Sequence, residues 1–278
     1  MTGLKGKAPM NPSMQTGETQ ISLTLLGPFG LWVDGRYSLP LPRRAQALIA
    51  LLALSPRHEV AREEALAMIW GDAGSRSPGH GLRQTLELIR HHAGTGLVRL
   101  ARGRLSLRRD GVAIDAVRFQ ALAGSSDRGE LARCASLYRG ELLENVATVS
   151  PRFDEWIAVE RIRLAAIAVE AMRQVALSHL QAGEHDAAVA AARRVVALDE
   201  LRVDAHALLV SILGHCGRRA EAQRHSAFCA RVLPSAEDDT AGAALLAPYL
   251  ASRARGGSRL SASTAPVAPA PQPTRGRR

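Results

Sequence analysis

Between Pro78 and Arg109 the hydrophobic period of the chain changes from that of a helix to that of a strand. Leu82, Leu86 and Ile89 recur at i, i+4 and i+7, which predicts a helix over 78–93 with one buried face. At about 100° per residue, the opposite face carries His80, Gln84, Glu87 and His91, with Arg83 and Arg90 on a flank. Two short alternating runs follow, 97–101 and 104–109, about an Arg102-Gly103 turn. Val98, Leu100, Leu105 and Leu107 can share one side, while Arg99, Arg102, Arg104 and Arg108 point elsewhere. A polar-faced helix followed by a basic hairpin suits a helix lying in a DNA major groove with a wing on the phosphates. A solvated helix and an ordinary surface hairpin is the other reading of these residues.

The preceding chain supplies a scaffold. Ile21 to Leu26 and Phe29 to Val33 are apolar runs, Asp34-Gly35 is a hairpin turn signal, and Tyr37 to Leu41 follows, so a small antiparallel sheet is expected. A first helix is predicted over 43–54, behind Pro42, with Leu48, Ile49, Leu51 and Leu52 inward. Arg43 and Arg44 stand at its start, where backbone N–H groups favour an anion. His58 to Val60 reads as a one-strand connector. A second helix is predicted over 62–70, with Glu63 and Glu64 in its first turn, Leu66, Ile69 and Trp70 inward, and Gly71-Asp72-Ala73-Gly74 closing it. Sheet, three helices and hairpin is the order of a winged helix-turn-helix, whose third helix is the expected groove reader.

After Asp110-Gly111 strand signals almost vanish. Helices are predicted at 115–123, 127–139, 152–182, 185–198, 201–215, 218–232 and 237–250, with Asp115 and Ser126 as N-caps and Gly124 and Gly140 as stops. Gly183 and Gly217 lie 34 residues apart, and at the same offset Ala188 pairs with Ala222 and Leu198 with Val232. That period fits stacked tetratricopeptide-like helix pairs, which present a concave surface to a peptide or another subunit. Two generic helical hairpins would give the same pattern.

Charge divides the chain further. Residues 1–112 hold 15 Lys/Arg against 8 Asp/Glu, residues 113–250 hold 15 against 18, and residues 251–278 hold 6 against none. The basic excess therefore sits on the first folded unit and the tail, and points to a polyanionic partner. Aromatics are only 4% of the chain, so its cores must be built from Leu, Ala and Val, which favours helices. The expected organisation is a disordered lead over 1–19, a winged-helix DNA-binding domain over 20–112, an all-helical domain over 113–250, and a disordered Ala/Pro/Arg tail over 251–278. The fold class is mainly α.

These motifs together resemble a known family. Leu25-Leu26-Gly27-Pro28, Asp34-Gly35, Arg43 to Leu48, Leu51 to Leu54, Leu66 to Gly71 and Leu82 to Leu86 resemble bacterial antibiotic-regulatory-type (SARP-like) activators. Val117-Arg118-Phe119, Leu137 to Leu143 and Phe153 to Trp156 with Glu160-Arg161 resemble the start of the bacterial transcriptional activator domain (BTAD). The resemblance covers about residues 20–250. It implies promoter binding by a response-regulator-type winged helix, contact with RNA polymerase, and binding of two copies as a homodimer on direct repeats of double-stranded DNA.

On this reading His80, Arg83, Gln84, Glu87 and His91 face bases, Gln84 being suited to adenine. Arg43, Arg44, Arg99, Arg102, Arg104 and Arg108 hold phosphates. Glu87 repels phosphate unless it accepts from a cytosine amine, and Gly79 and Gly81 loosen the helix start. The alternative is a helical scaffold whose winged helix docks protein.

No catalytic set is expected. Gly79-His80-Gly81 lacks the third glycine of a dinucleotide loop, and no phosphate-binding GxxxxGK[ST] occurs, so no cofactor is predicted. His225 and Cys229, spaced i, i+4 with His215 and Cys216 nearby, match no strong zinc pattern, and no metal is expected. Asp154, Glu155 and Glu160 read as a solvated helix face. An odd count of cysteines (Cys134, Cys216, Cys229) without a CxxC pair favours a reduced, cytoplasmic setting.

Overall fold

The structure is a computed structural model that describes residues 19–38, 40–71, 78–146 and 148–232. The expected lead, helix 237–250 and tail lie outside the described residues, as does most of the turn after the second helix. The chain forms two compact units, 1–198 and 199–278. It is mainly helical, with a small sheet region at the N-terminus followed by helices.

In the first unit, β1 (Ile21–Thr24) pairs antiparallel with β2 (Gly30–Val33), and β2 with the two-residue β3 (Arg36–Tyr37). The β2–β3 turn has positive φ at both Asp34 (49°) and Gly35 (76°), the type I′ signature that suits strand twist. β3 is shorter than the predicted 37–41 run because Leu41 turns inward ahead of α1. The fourth strand of this sheet comes from beyond the basic hairpin. β7 (Val112–Ile114) lies parallel to β1, with Ile21 opposite Val112 and Leu23 opposite Ile114. Position 112/113, where the sequence changes character, thus falls inside a strand of the N-terminal sheet.

Helix α1 (Arg43–Leu54) is buried on almost every side, from Ala45 to Ala53, as a helix apolar all round must be. A short 3₁₀ turn (Pro56–His58) leads to β4 (Glu59–Ala61), then α2 (Arg62–Ile69) and α3 (Pro78–Ala93). Leu66 is only half-buried; Ala65, Ile69 and Trp70 carry the inward face of α2. The second sheet has the order β4, β6 (Arg104–Leu107), β5 (Val98–Ala101), so the connector strand backs the basic hairpin.

α4 (Asp115–Leu122) follows β7 without a break. Asp115 is its first residue rather than its N-cap, a place taken by Ile114. α5 (Arg128–Leu137) is capped by Asp127, whose carboxylate accepts from the Glu130 N–H at 2.8 Å, and not by Ser126. α6 (Pro151–Gln181) starts at Ser150, which accepts from the Phe153 N–H and donates its hydroxyl to the Met68 carbonyl at the end of α2. α7 (His185–Leu198) packs back along α6.

The second unit holds the hairpin α8 (Val203–His215) and α9 (Arg219–Val232). The 34-residue repeat is written into backbone hydrogen bonds. Gly183 donates to Leu180, Glu184 to His179 and Ala188 to Glu184; Gly217 donates to Gly214, Arg218 to Leu213 and Ala222 to Arg218. Both glycines have positive φ, 72° and 74°, and both alanines are fully buried. No helix among the described residues is long and apolar enough to cross a membrane.

Candidate nucleic-acid interface

α3 buries Leu82, Thr85, Leu86, Ile89 and Ala93 against α1, α2 and β5. Its other side exposes His80, Arg83, Gln84, Glu87, Leu88, Arg90 and His91. All five residues expected to face bases therefore share one solvent-facing surface. Two neighbours join them. Leu88, 39% exposed, sits amid the polar side chains, and Arg90 reaches Glu87 at 3.6 Å. That ion pair is exposed and worth little in stability, but it offsets the one carboxylate on this face. Glu87, Leu88, Arg90, His91 and Thr95 line an open groove along the C-terminal half of the helix.

The start of α3 is fixed by Gly81. A Cβ there would stand 2.3 Å from Nε1 of Trp70, so only glycine lets the helix pass this close to the indole. Trp70 is 2% exposed, and the Arg44 guanidinium lies 5.8 Å over its ring. The tryptophan is core, and Arg44 connects the first turn of α1 to it by a cation–π contact. Arg43 beside it is exposed. The first turn of α1 has no acidic residue and no side-chain cap, so its N–H groups keep their attraction for an anion.

The β5–β6 hairpin turns on Arg102 (φ 49°) and Gly103 (φ 73°), again a type I′ turn. Its register puts Val98 opposite Leu107, Arg99 opposite Ser106, Leu100 opposite Leu105 and Ala101 opposite Arg104. Side chains alternate across a strand, so Arg99 and Arg104 share the face opposite the leucines, with Arg102 at the tip. Val98, Leu105 and Leu107 are buried as expected. Leu100 is 41% exposed, because β5 is the edge strand and this residue lies toward the turn. Arg104 also pairs with Glu59 on β4 at 3.3 Å.

Arg108 stands apart from the other arginines. It is half-buried, and its guanidinium donates to the Thr19 carbonyl at 2.9 Å. Two residues missed by alternation lie beside it. Arg109 and Arg118, with His58, line a basic cleft of about 530 Å³ next to β7. Arg118 follows β7 into α4, so only the long-range pairing of β7 brings it there.

The first unit also has a buried polar joint between β1 and α4. The buried Asp115 carboxylate accepts from the Leu25 N–H at 2.7 Å, Leu26 N–H at 3.2 Å and its neighbour Ala116 at 2.7 Å, while Arg139 donates to it at 3.3 Å. Burial raises its pKa above the ordinary carboxylate range, against the opposing pull of these donors. Leu26 and Gly27 also bridge to Leu142, and Arg161 donates to the carbonyls of Leu142 and Leu143, each at 2.9 Å. The Leu25-Leu26-Gly27-Pro28 motif and the Leu137 to Leu143 motif, far apart in sequence, thus dock on each other.

A mainly helical chain with a small N-terminal sheet, a polar-faced third helix and a basic hairpin is the architecture that the resemblance to SARP-like regulators implies. Residues 112–236 match the family model described as bacterial transcriptional activator domain. Among solved structures, the chain is similar to Mycobacterium tuberculosis EmbR in complex with low affinity phosphopeptide, at 16% identity and a TM-score of 0.64. The alignment covers 84% of this chain and 66% of that one. No curated protein matches the chain. Sequence motifs, domain family and fold agree on the resemblance to SARP-like activators.

Proposed function

We infer that this chain is a sequence-specific DNA-binding transcriptional activator, not an enzyme, working in the cytoplasm. The observation that carries the reading is the shared outward surface of α3, on which His80, Arg83, Gln84, Glu87 and His91 are all exposed. On this reading the first unit contains a winged helix-turn-helix over 20–112. α3 enters the major groove, and the β5–β6 hairpin is the wing. Arg43, Arg44, Arg99, Arg102 and Arg104 hold phosphates and set register, while Gln84 and Arg83 read base edges. Arg108 then acts more on the fold than on DNA, through Thr19. The region over 113–250 is a tetratricopeptide-like activator domain that contacts RNA polymerase or a second subunit, with two copies bound as a homodimer on direct repeats.

Footprinting of the full chain on the region upstream of its own gene tests this. Protection there, at a concentration leaving random DNA open, and stimulated transcription by purified polymerase are the expected results. Equal occupancy of both DNAs would remove the sequence-specific part. A second reading, a scaffold whose α3 docks protein, is favoured by the exposed Leu88 beside Glu87. On that reading the surface captures the same partners after nuclease treatment.

A further inference from the structure

We propose that the second unit holds a zinc-class metal ion between His206 of α8 and His225 and Cys229 of α9. Their ligand atoms all lie within 4.8 Å of one another. A tetrahedral ion bound at about 2.0–2.3 Å needs donors roughly 3.3–3.6 Å apart, a spacing within reach of small side-chain rotations. The residues of the 215–216 turn play no part in the cluster; His215 instead contacts the Ser211 carbonyl.

The histidine geometry resembles that of a held ligand. His206 is 2% exposed, and its Nε2 lies 2.9 Å from the Glu200 carbonyl. A carbonyl only accepts, so Nε2 carries the proton and Nδ1 is left with a lone pair. That lone pair points toward His225, whose Nε2 is 2.9 Å away. A backbone carbonyl that fixes the tautomer of a buried histidine is the usual outer partner of a metal-binding imidazole. Cys229 is also buried, and His225, half-buried, opens the cluster to solvent for the fourth position.

The internal repeat adds an independent argument. Thirty-four residues earlier, the positions matching His206, His225 and Cys229 are Met172, Ala191 and Val195. Met172 and Val195 are buried apolar core between α6 and α7. One hairpin therefore closes on apolar contacts. The other carries two imidazoles and a thiol at the same places, where apolar side chains of similar size would pack without buried polar groups. Two nitrogens and a sulfur suit a borderline-soft cation such as Zn²⁺ over Mg²⁺ or Ca²⁺.

On binding, the Cys229 thiol loses its proton to solvent and the thiolate sulfur donates a pair to the metal. His225 moves its remaining proton from Nε2 to Nδ1, freeing Nε2 as a ligand, and His206 keeps its bond to Glu200. Nothing is oxidised or reduced. The ion cross-links α8 to α9.

The test is a titration of the reduced, chelator-treated full chain with Co²⁺. A saturable thiolate-to-cobalt charge-transfer band at one equivalent, with visible bands of tetrahedral intensity displaced by Zn²⁺, is the expected result. Cys229→Ser abolishes the charge-transfer band, whereas Cys134→Ser and Cys216→Ser retain it. His225→Gln, at a half-buried position that spares the core, weakens Co²⁺ binding more than about tenfold, since losing even an outer partner costs 10–100-fold. Zn²⁺ also raises the melting temperature of the wild type and not of Cys229→Ser. Absence of the band in the wild type, or its survival in a folded Cys229→Ser protein, overturns the site. Unchanged Co²⁺ affinity in His225→Gln does the same if Cys229→Ser fails to fold.

Discussion

The Asp115 carboxylate accepts the Leu25 backbone N–H at 2.7 Å across 90 residues of sequence. This bond joins the end of β1 to the start of α4, tying the N-terminal sheet to the helices that follow; a second tie runs from Ser150 at the start of α6 to Met68 of α2. Arg139 completes the first from the loop after α5.

Asp115→Ala leaves the Leu25 and Leu26 N–H groups buried without an acceptor. Each such group costs about 1–3 kcal/mol, so the variant loses roughly 2–6 kcal/mol in urea unfolding. Asp115→Asn keeps one acceptor and loses less. Burial raises the folded pKa of Asp115. The sign follows: its contribution is full below the ordinary carboxylate range and falls as pH rises through the raised folded value. Asparagine mimics the neutral acid, so the stability difference should move against the wild type as pH climbs through that window. A pH-independent difference would contradict this.

Gly81→Ala pits helix propensity against a clash. Alanine favours a helix interior by about 1 kcal/mol. The added Cβ meets a buried indole at 2.3 Å, and Trp70 has no flexible end to give way. Overpacking costs about 1–3 kcal/mol, so the clash wins and the melting temperature falls. An increase would show that α3 does not rest on Trp70 as described.

Much of this region is legible from periodicity. α2, α3 and the β5–β6 hairpin fall where the 3.6- and 2-residue patterns put them, because each buries one face locally, and α1 falls where a run apolar on all sides stands between Pro42 and Ser55-Pro56. β7 is three residues long, and its strand character comes from pairing with β1, so no local signal marks it. Asp115 reads as a cap in sequence, yet its partners lie at Leu25 and Leu26. The same limit hid His206, which meets His225 only because α8 packs on α9. Leu88 and Leu100 show the converse, large apolar residues left exposed on a helix face and an edge strand. Arg108 alternates with the other arginines, and only the fold reveals that Thr19 engages it.

Cys134 lies fully buried, with Sγ 3.5 Å from the Phe119 carbonyl, and burial pushes its thiol up to about 11. The thiolate is the reactive form, so at pH 8 only about a thousandth of this group is available. Iodoacetamide mapping by mass spectrometry should find Cys134 unmodified in the folded chain and modified in urea. The raised folded value also means that its contribution to stability is lost as pH rises toward 11. Rapid labelling of folded Cys134 would contradict the buried placement.

Glu87→Gln removes the carboxylate from the outward face of α3. Two unit charges about 4 Å apart in water interact by about 1 kcal/mol. Affinity for random DNA at low salt should therefore rise about fivefold. No change would take Glu87 off the DNA-facing surface.

The most direct test is a salt-dependent titration of full-length wild type, Arg102→Ala and Gln84→Ala on the upstream DNA and on random DNA. Arg102→Ala should weaken binding to both and reduce the slope of log K against log salt by about 1, as loss of one phosphate contact requires. Gln84→Ala should leave the slope and the random-DNA affinity unchanged while lowering the preference for the upstream sequence, a bidentate base contact being worth about 1–3 kcal/mol. Two variants that bind both DNAs like the wild type, at every salt concentration, would contradict the assignment of α3 and its hairpin to DNA.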